Sequence, residues 1–209
     1  MKIGILGSGN VGKALAKGFI SENHEVYLAT REPEGIKGTQ LRAEIDLVNV
    51  CDFATAAKEA ELAILCTPWD AAEDAVKAAG AENLAGKIVI DTNNPLNRGE
   101  DGVSLAMGFE VSASETVQRW LPDSQVVKCF NTVGAVDMYR PDFPQTPTMF
   151  LCGNDASAKQ QVSELVQSFG WEPLDMGDIK AARLLEPMAV VWINYVMQAG
   201  DSHHAFKML

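Results

Sequence analysis

The sequence predicts an α/β protein: a doubly wound parallel sheet followed by a small C-terminal α/β lobe. Three observations carry that expectation. Strand-like and helix-like segments alternate with little between them, which favours a parallel sheet covered by helices. The strand-like segments are short, mostly β-branched runs suited to burial on both faces. The first of them runs into Gly7, Gly9 and Gly12, in the spacing G-x-G-x-x-G.

Six strands are expected, at Lys2–Leu6, Glu25–Ala29, Leu47–Cys51, Leu62–Cys66, Lys87–Asp91 and Val126–Phe130, the count of a complete doubly wound sheet. Between the first two, Val11, Ala14, Leu15, Gly18 and Phe19 recur at helical spacing while Lys13, Lys17 and Glu22 fall elsewhere, so this helix buries one face. Beyond Asn131 the pattern changes. The stretch YRPDFPQTP holds three of the nine prolines and reads as a surface loop. It divides an expected nucleotide-binding domain, residues 1–140, from a lobe over residues 141–209. That lobe is expected to contain a strand Thr148–Cys152, a helix capped by Asn154 or Asp155 and stopped at Gly170, a strand Glu172–Met176 and a helical C-terminus.

Composition excludes several classes of function. A chain of 209 residues with net charge −11 and a pI near 4.7 offers no basic surface for nucleic acid or an anionic membrane. Any anion site must be local. Cys51, Cys66, Cys129 and Cys152 stand far apart without a C-x-x-C pair, which suggests reduced thiols rather than a zinc site or disulfides. Met1 leads straight into the first strand, and the longest apolar run, Pro187–Gly200, is shorter than the roughly 20 residues a bilayer requires. A cytoplasmic protein is expected.

In its strand–turn–helix context the glycine motif has a mechanical meaning, that of a Rossmann dinucleotide site. Gly7 permits the tight turn, Gly9 lets the backbone approach a pyrophosphate, and Gly12 allows close helix packing. The N–H groups opening the helix, from Asn10 and Val11 onward, face the anion, and the Ser8 and Asn10 side chains can add hydrogen bonds. The end of the second strand should meet the adenosine ribose. A carboxylate there would accept the ribose hydroxyls of NAD, but the chain has Thr30 and Arg31, a hydroxyl and a guanidinium suited to a 2′-phosphate. The expected cofactor is NADP. Glu32, the nearest acid, comes one residue too late.

Ligands in such sheets lie beyond the carboxyl ends of the strands. Thr67 and Pro68, after the fourth strand, and Asn94 and Pro95, after the fifth, are expected beside the cofactor's ribose and nicotinamide. Trp69 is a candidate ring neighbour in the first of these stretches, and Asn131, Thr132 and Val133, after the sixth strand, stand at a third such end. No Ser-His-Asp set, metal cluster or carboxylate pair stands at these strand ends. His24 reads as a turn residue, and the adjacent His203 and His204 point apart in regular structure. Lys128 reads as a snorkelling or ion-paired lysine rather than a catalytic amine. No catalytic acid or base is therefore expected, and catalysis should depend on the shape of a cleft.

The ordered stretches GILGSGNVGKALA, DTNNPL, VVKCFNT, LCGND, LDMGDIKAARLLE and AFKML together resemble the deazaflavin-dependent NADP oxidoreductases, enzymes of coenzyme F-420. The resemblance runs through nearly the whole chain and extends to the oxidoreductase domain of the vertebrate metalloreductases, which pass a hydride from NADPH to a flavin. It implies that Thr30 and Arg31 hold the 2′-phosphate, and that Asn94–Pro95 and Phe130–Val133 border the nicotinamide and the acceptor ring. At Asn131 the chain departs from the family, which tends to carry His there. Hydride passing between two bound rings needs no general acid, since a ring nitrogen exchanges its proton with water. Two other readings stand beside this one: an NADP-dependent reductase of a small carbonyl or imine, and a non-catalytic NADP-sensing module. The apolar residues Leu184, Leu185, Met188, Trp192 and Val196 are expected on one helix face, covered by the lobe or by a second subunit in a homodimer.

Overall fold

The computed structural model describes residues 1–99 and 102–209. Its first half repeats one unit, a short apolar strand followed by a helix that folds back over the sheet. The order is β1 (Lys2–Leu6), α1 (Asn10–Ser21), β2 (Glu25–Ala29), α2 (Ile36–Glu44), β3 (Asn49–Cys51), α3 (Phe53–Glu59), β4 (Leu62–Leu65), α4 (Ala72–Ala79), α5 (Ala81–Leu84) and β5 (Ile88–Asp91). There follow β6 (Leu96–Gly99), β7 (Gly102–Leu105), α6 (Ala113–Trp120), β8 (Gln125–Lys128), β9 (Thr148–Gly153), α7 (Ala156–Ser168), β10 (Glu172–Asp175) and α8 (Ala182–Ala199).

Eight strands form one sheet in the order β10-β9-β8-β5-β4-β1-β2-β3. From β3 to β8 every pairing is parallel, and the order is that of the doubly wound sheet. The sheet continues past residue 140: β9 joins β8 antiparallel and β10 joins β9 parallel. Alternate residues of each strand enter opposite cores. Ile3, Ile5, Ile64, Ile90 and Val127 pack with Leu15, Phe19 and Phe169 on one face. Leu6, Leu65, Val89 and Val126 pack with Val76 and Val117 on the other.

Boundaries move where the backbone demands it. β3 begins at Asn49 rather than Leu47 because Leu47 adopts φ 63, which no strand accommodates. β8 ends at Lys128, two residues early, because Phe130 turns to φ 59. The β6–β7 hairpin was not foreseen. Its Gly99 and Gly102 are the turn signal, and β7 lies along α8. The C-terminus is helical only to Ala199. Gly200 takes φ 69 as a left-handed cap, and residues 201–209 return along α8 without regular structure.

The anticipated apolar face of α8 is divided. Leu185 is buried with Ala182 and Ala189, and Met188 packs beside them, whereas Leu184 points outward with Val191 and Tyr195. Adjacent residues lie about 100° apart around a helix, so Leu184 and Leu185 cannot share a narrow stripe. Trp192 is covered from within the chain by the ring of His204, 4.7 Å away.

Candidate functional site

The turn from β1 into α1 is built around two obligatory glycines. Gly7 adopts φ 133, and a methyl group there would stand 2.7 Å from the Cys66 carbonyl oxygen. A methyl at Gly12 would stand 2.0 Å from the Gly7 carbonyl oxygen, so α1 rests directly on the turn. At Gly9 the reverse holds. A methyl there would meet no atom within 4 Å. Gly9 also caps α1 without any side-chain bond, and the first turn carries no acid, so the helix N-terminus has kept its N–H donors for an external anion.

This loop forms one wall of a cleft of about 900 Å³. Gly7, Ser8 and Gly9 face Thr30, Arg31, Glu32 and Lys37, and Cys66, Thr67, Pro68 and α4 complete it. β2 ends at Ala29, as the sequence indicates, and the Thr30 N–H bonds the Cys51 carbonyl, so Thr30 and Arg31 stand at the strand's mouth. Among the described residues neither Arg31 nor Lys37 has an ion-pair partner, while Arg42, on the same helix as Lys37, is held by Glu34. Two cations without a partner among the described residues therefore line the same cleft. Lys37 escaped the sequence reading because no motif says which turn of α2 faces the cleft; Gly35, where α2 starts, is the only local signal. Phe53, at the start of α3, adds an aromatic wall that was likewise missed.

Thr67 brings a buried hydroxyl without a hydrogen-bond partner to the same cleft. Such a group costs free energy unless a ligand satisfies it. Cys66 packs under the glycine loop, its Sγ 3.3 Å from the Gly7 carbonyl, and burial pushes its thiol up to about 12. It is no nucleophile at neutral pH.

The carboxyl ends of β5 and β8 are made differently. Asn94 and Asn131 bond reciprocally: Asn94 Nδ2 donates to the Asn131 carbonyl at 2.9 Å, and Asn131 Nδ2 donates to Asn94 Oδ1 at 3.0 Å. Asn131 Nδ2 also donates to the Leu185 carbonyl of α8, at 2.9 Å. Beneath them Lys128, Asp91 and Glu186 form a buried ion cluster, with Lys128 and Asp91 fully enclosed. Burial alone would lower the Lys128 amine, but Asp91 and Glu186 outweigh it and hold the amine above the ordinary lysine range. Burial raises the Glu186 carboxyl. Lys128 is thus ion-paired and does not snorkel.

Of the expected site residues, the cleft wall gathers Gly7, Ser8, Gly9, Thr30, Arg31, Thr67 and Pro68, while Asn10, Val11 and Gly12 stand behind it in α1. Asn94 and Pro95 follow β5; Asn131, Thr132 and Val133 are buried after β8. The Trp69 ring stacks on Trp120, with centroids 5.5 Å apart and planes 15° apart. Asn93, unnoticed in the sequence, is buried with neither amide atom partnered, as is Asn131 Oδ1. The histidines are engaged elsewhere: His24 packs edge-on to Phe19, His203 bonds Asp137, and His204 stacks on Trp192. Among the described residues no group of three or more His, Cys, Asp or Glu is placed to hold a metal, and no helix is long and apolar enough to cross a membrane.

Residues 2–95, from the start of β1 through the turn after β5, match the family model described as NADP oxidoreductase, coenzyme F420-dependent. A solved structure from Arthrobacter sp. FB24, described as a candidate F420-dependent NADP-reductase, superposes with a TM-score of 0.94 at 36% identity, covering 100% of this chain and 99% of that one. The chain belongs to the F420-dependent NADP oxidoreductase family. NADP(H) is accordingly its cofactor and NADP-linked oxidoreduction its chemistry. The uncapped helix, the open side of Gly9 and the two free cations fit that cofactor.

The F420-dependent NADP reductase of Methanocaldococcus jannaschii is 29% identical over 207 residues, 93% of this chain and 92% of that protein. Metalloreductase STEAP3 of Rattus norvegicus is 28% identical over 185 residues, 88% of this chain but 36% of that protein. The chain thus spans about a third of the metalloreductase. An imine reductase of Streptomyces aurantiacus, at 17% identity with a TM-score of 0.70 over 95% of this chain and 64% of that one, shares the fold alone.

Proposed function

We propose that this protein transfers a hydride between NADP(H) and a ring cofactor, coenzyme F420 or a flavin, in the cytosol. The observation that supports this most is the cleft beside the glycine loop, where Arg31 and Lys37 have no ion-pair partner among the described residues, set against the buried amides and ion cluster at the carboxyl ends of β5 and β8. Arg31, Lys37 and Thr30 hold the 2′-phosphate, and the N–H groups at Gly9 to Val11 hold the pyrophosphate. Arg31 or Phe53 covers the adenine. Thr67, Pro68, Asn94 and Pro95 border the ribose and nicotinamide. The reduced nicotinamide supplies the hydride when bound.

Trp69, Asn131, Thr132 and Val133 shape the acceptor's place, with the residues after 140 completing it through α8. The titratable groups nearest this end, Asp91, Lys128 and Glu186, are all committed to one another, so the protein contributes orientation and exclusion of water. Its assembly is a homodimer that covers Leu184, Val191 and Tyr195, each more than half exposed in the single chain. Light scattering should give twice the chain mass, and Val191→Glu should return the single mass.

Anaerobic mixing of the protein and NADPH with F420, with free flavin, and with a panel of carbonyls and cyclic imines tests the reaction. Loss of NADPH absorbance matched mole for mole by reduction of F420 or flavin is the expected result. Oxidation of NADPH only in the presence of an imine or carbonyl would overturn it.

A further inference from the structure

Lys128 is the last residue of β8, in a strand whose neighbours Val126, Val127 and Cys129 are apolar and buried. Its ammonium group has three N–H donors, and all three are used. One goes to Asp91 Oδ2 at 2.9 Å, one to Glu186 Oε1 at 3.1 Å, and one to the Asn93 main-chain carbonyl. Asp91 Oδ1 in turn accepts the Asn93 N–H at 3.0 Å, and its Oδ2 accepts the Ser114 hydroxyl. Asn93 is therefore tied through its main chain on both sides. Glu186 accepts the Ala113 N–H at 3.0 Å and the Ser114 N–H at 3.3 Å, which fastens α8 to the start of α6.

This cluster is costly. It places two carboxylates and one ammonium where apolar residues of similar volume would serve a sheet as well or better. The sheet does not require it, because the β5–β8 ladder runs from Ile88 to Asp91 on main-chain bonds and ends at the level of Lys128. What begins there are the two loops that carry Asn93, Asn94 and Asn131. Thr92 ties the first of these loops back to β4 through the Leu65 carbonyl, and the cluster with the amide bonds above it joins the two loops to each other and to α8.

We propose that Lys128 is a positioning residue for hydride transfer: by clamping Asn93 between itself and Asp91, and by tying that turn to α8 through Glu186, it fixes the amide surface against which the nicotinamide is oriented. The inference rests on the reading that places the nicotinamide at the carboxyl ends of β5 and β8. Lys128 acts through Asn93, Asn94 and Asn131 and exchanges no proton with the reactants.

The test compares wild type with Lys128→Met and with the double variant Lys128→Met/Glu186→Gln. The single variant strands two buried carboxylates and is at risk of not folding. The double variant carries one negative charge in the cluster, as does the wild type with its one ammonium and two carboxylates, so it keeps the buried net charge while losing the clamp and one of the two oxygens that accept from Ala113 and Ser114. NADPH itself is the probe. In the folded double variant its dissociation constant should stay within about threefold of wild type, because the phosphate end is untouched. The emission anisotropy of the bound reduced nicotinamide should fall toward the value of free NADPH. The single-turnover rate at saturating NADPH should fall about hundredfold, the scale of an ångström's misplacement. A merely structural role would lower the melting temperature and leave anisotropy and rate per bound NADPH unchanged, and that result overturns the proposal. Should wild type reduce neither F420 nor flavin, the acceptor assignment fails, while the anisotropy comparison still decides for or against Lys128.

Discussion

The glycine-loop cleft and the carboxyl ends of β5 and β8 are made of different materials. At the glycine-loop end the ligand-facing groups are main-chain N–H donors and the flexible cations Arg31 and Lys37, none of them engaged by another side chain in the described structure. At the ends of β5 and β8 the polar groups are mostly buried side chains, with Asn94, Asn131, Lys128, Asp91 and Glu186 bonded to one another or to carbonyls, while the Asn93 amide and Asn131 Oδ1 are left without a partner. The first arrangement suits a ligand whose phosphates bring most of the binding energy. The second suits one whose position matters more than its affinity. On the proposed reading, binding and placement fall to separate parts of the molecule.

The strongest way to break this comparison lies within the glycine loop. Gly12→Ala should abolish soluble expression or folding, since its methyl would overlap the Gly7 carbonyl at 2.0 Å. Gly9→Ala, with no atom within 4 Å of the new methyl, should leave the thermal melt unchanged and weaken NADPH about tenfold or more, ~1.4 kcal/mol. Paired melts and NADPH titrations check both. At the other end, Lys128→Met by itself should lower stability by about 3–5 kcal/mol in urea titrations, because it leaves two uncompensated buried carboxylates. Arg31→Ala should cost roughly one to two decades of NADP(H) affinity and little for NAD(H), a charge-assisted bond being worth about 1.5–3 kcal/mol. Lys37→Ala should act in the same direction, and equal losses for both cofactors would remove the 2′-phosphate role.

Two smaller effects concern the scaffold that carries the far end. Arg183 of α8 holds Glu115 of α6 through two bonds, at 2.6 and 2.8 Å, and keeps its carboxyl down to about 2. Its contribution is therefore complete above the ordinary glutamate value of 4.5 and is lost as pH falls through about 2. Glu115→Gln should flatten the acid limb of the stability profile over that window. His203 Nδ1 meets Asp137 Oδ1 at 2.8 Å, and that bond raises the imidazole. The latch is complete below the usual histidine value of 6.5 and is lost as pH rises through the raised one. His203→Gln should therefore lower the melting temperature slightly in acid and not at all at pH well above neutrality.

The same division explains what the sequence could say. The glycine loop was legible because main-chain geometry dictates residue type: a turn at φ 133 and a 2.0 Å contact leave glycine as the only choice, and the spacing survives in one dimension. The strands and the placement of Thr30–Arg31 were legible through periodicity, since a strand buried on both faces admits few residue types. For Lys128 the sequence offered ion pairing beside snorkelling, but Asp91 and Glu186 were not legible as its partners, because they lie 37 residues or more from it in sequence. Lys37 and Phe53 were missed for a related reason, as the face a helix turns to the cleft depends on packing. Asn93 was passed over because a buried amide without a partner looks in sequence like any turn asparagine.

Single-turnover hydride transfer measured across a range of NADPH concentrations tests the division most directly, in Arg31→Ala and in Lys128→Met/Glu186→Gln. Arg31→Ala should move the half-saturating concentration up by roughly one to two decades with the plateau rate unchanged. The double variant should keep the half-saturating concentration and lower the plateau about hundredfold. Movement of the same parameter by both variants would contradict the account.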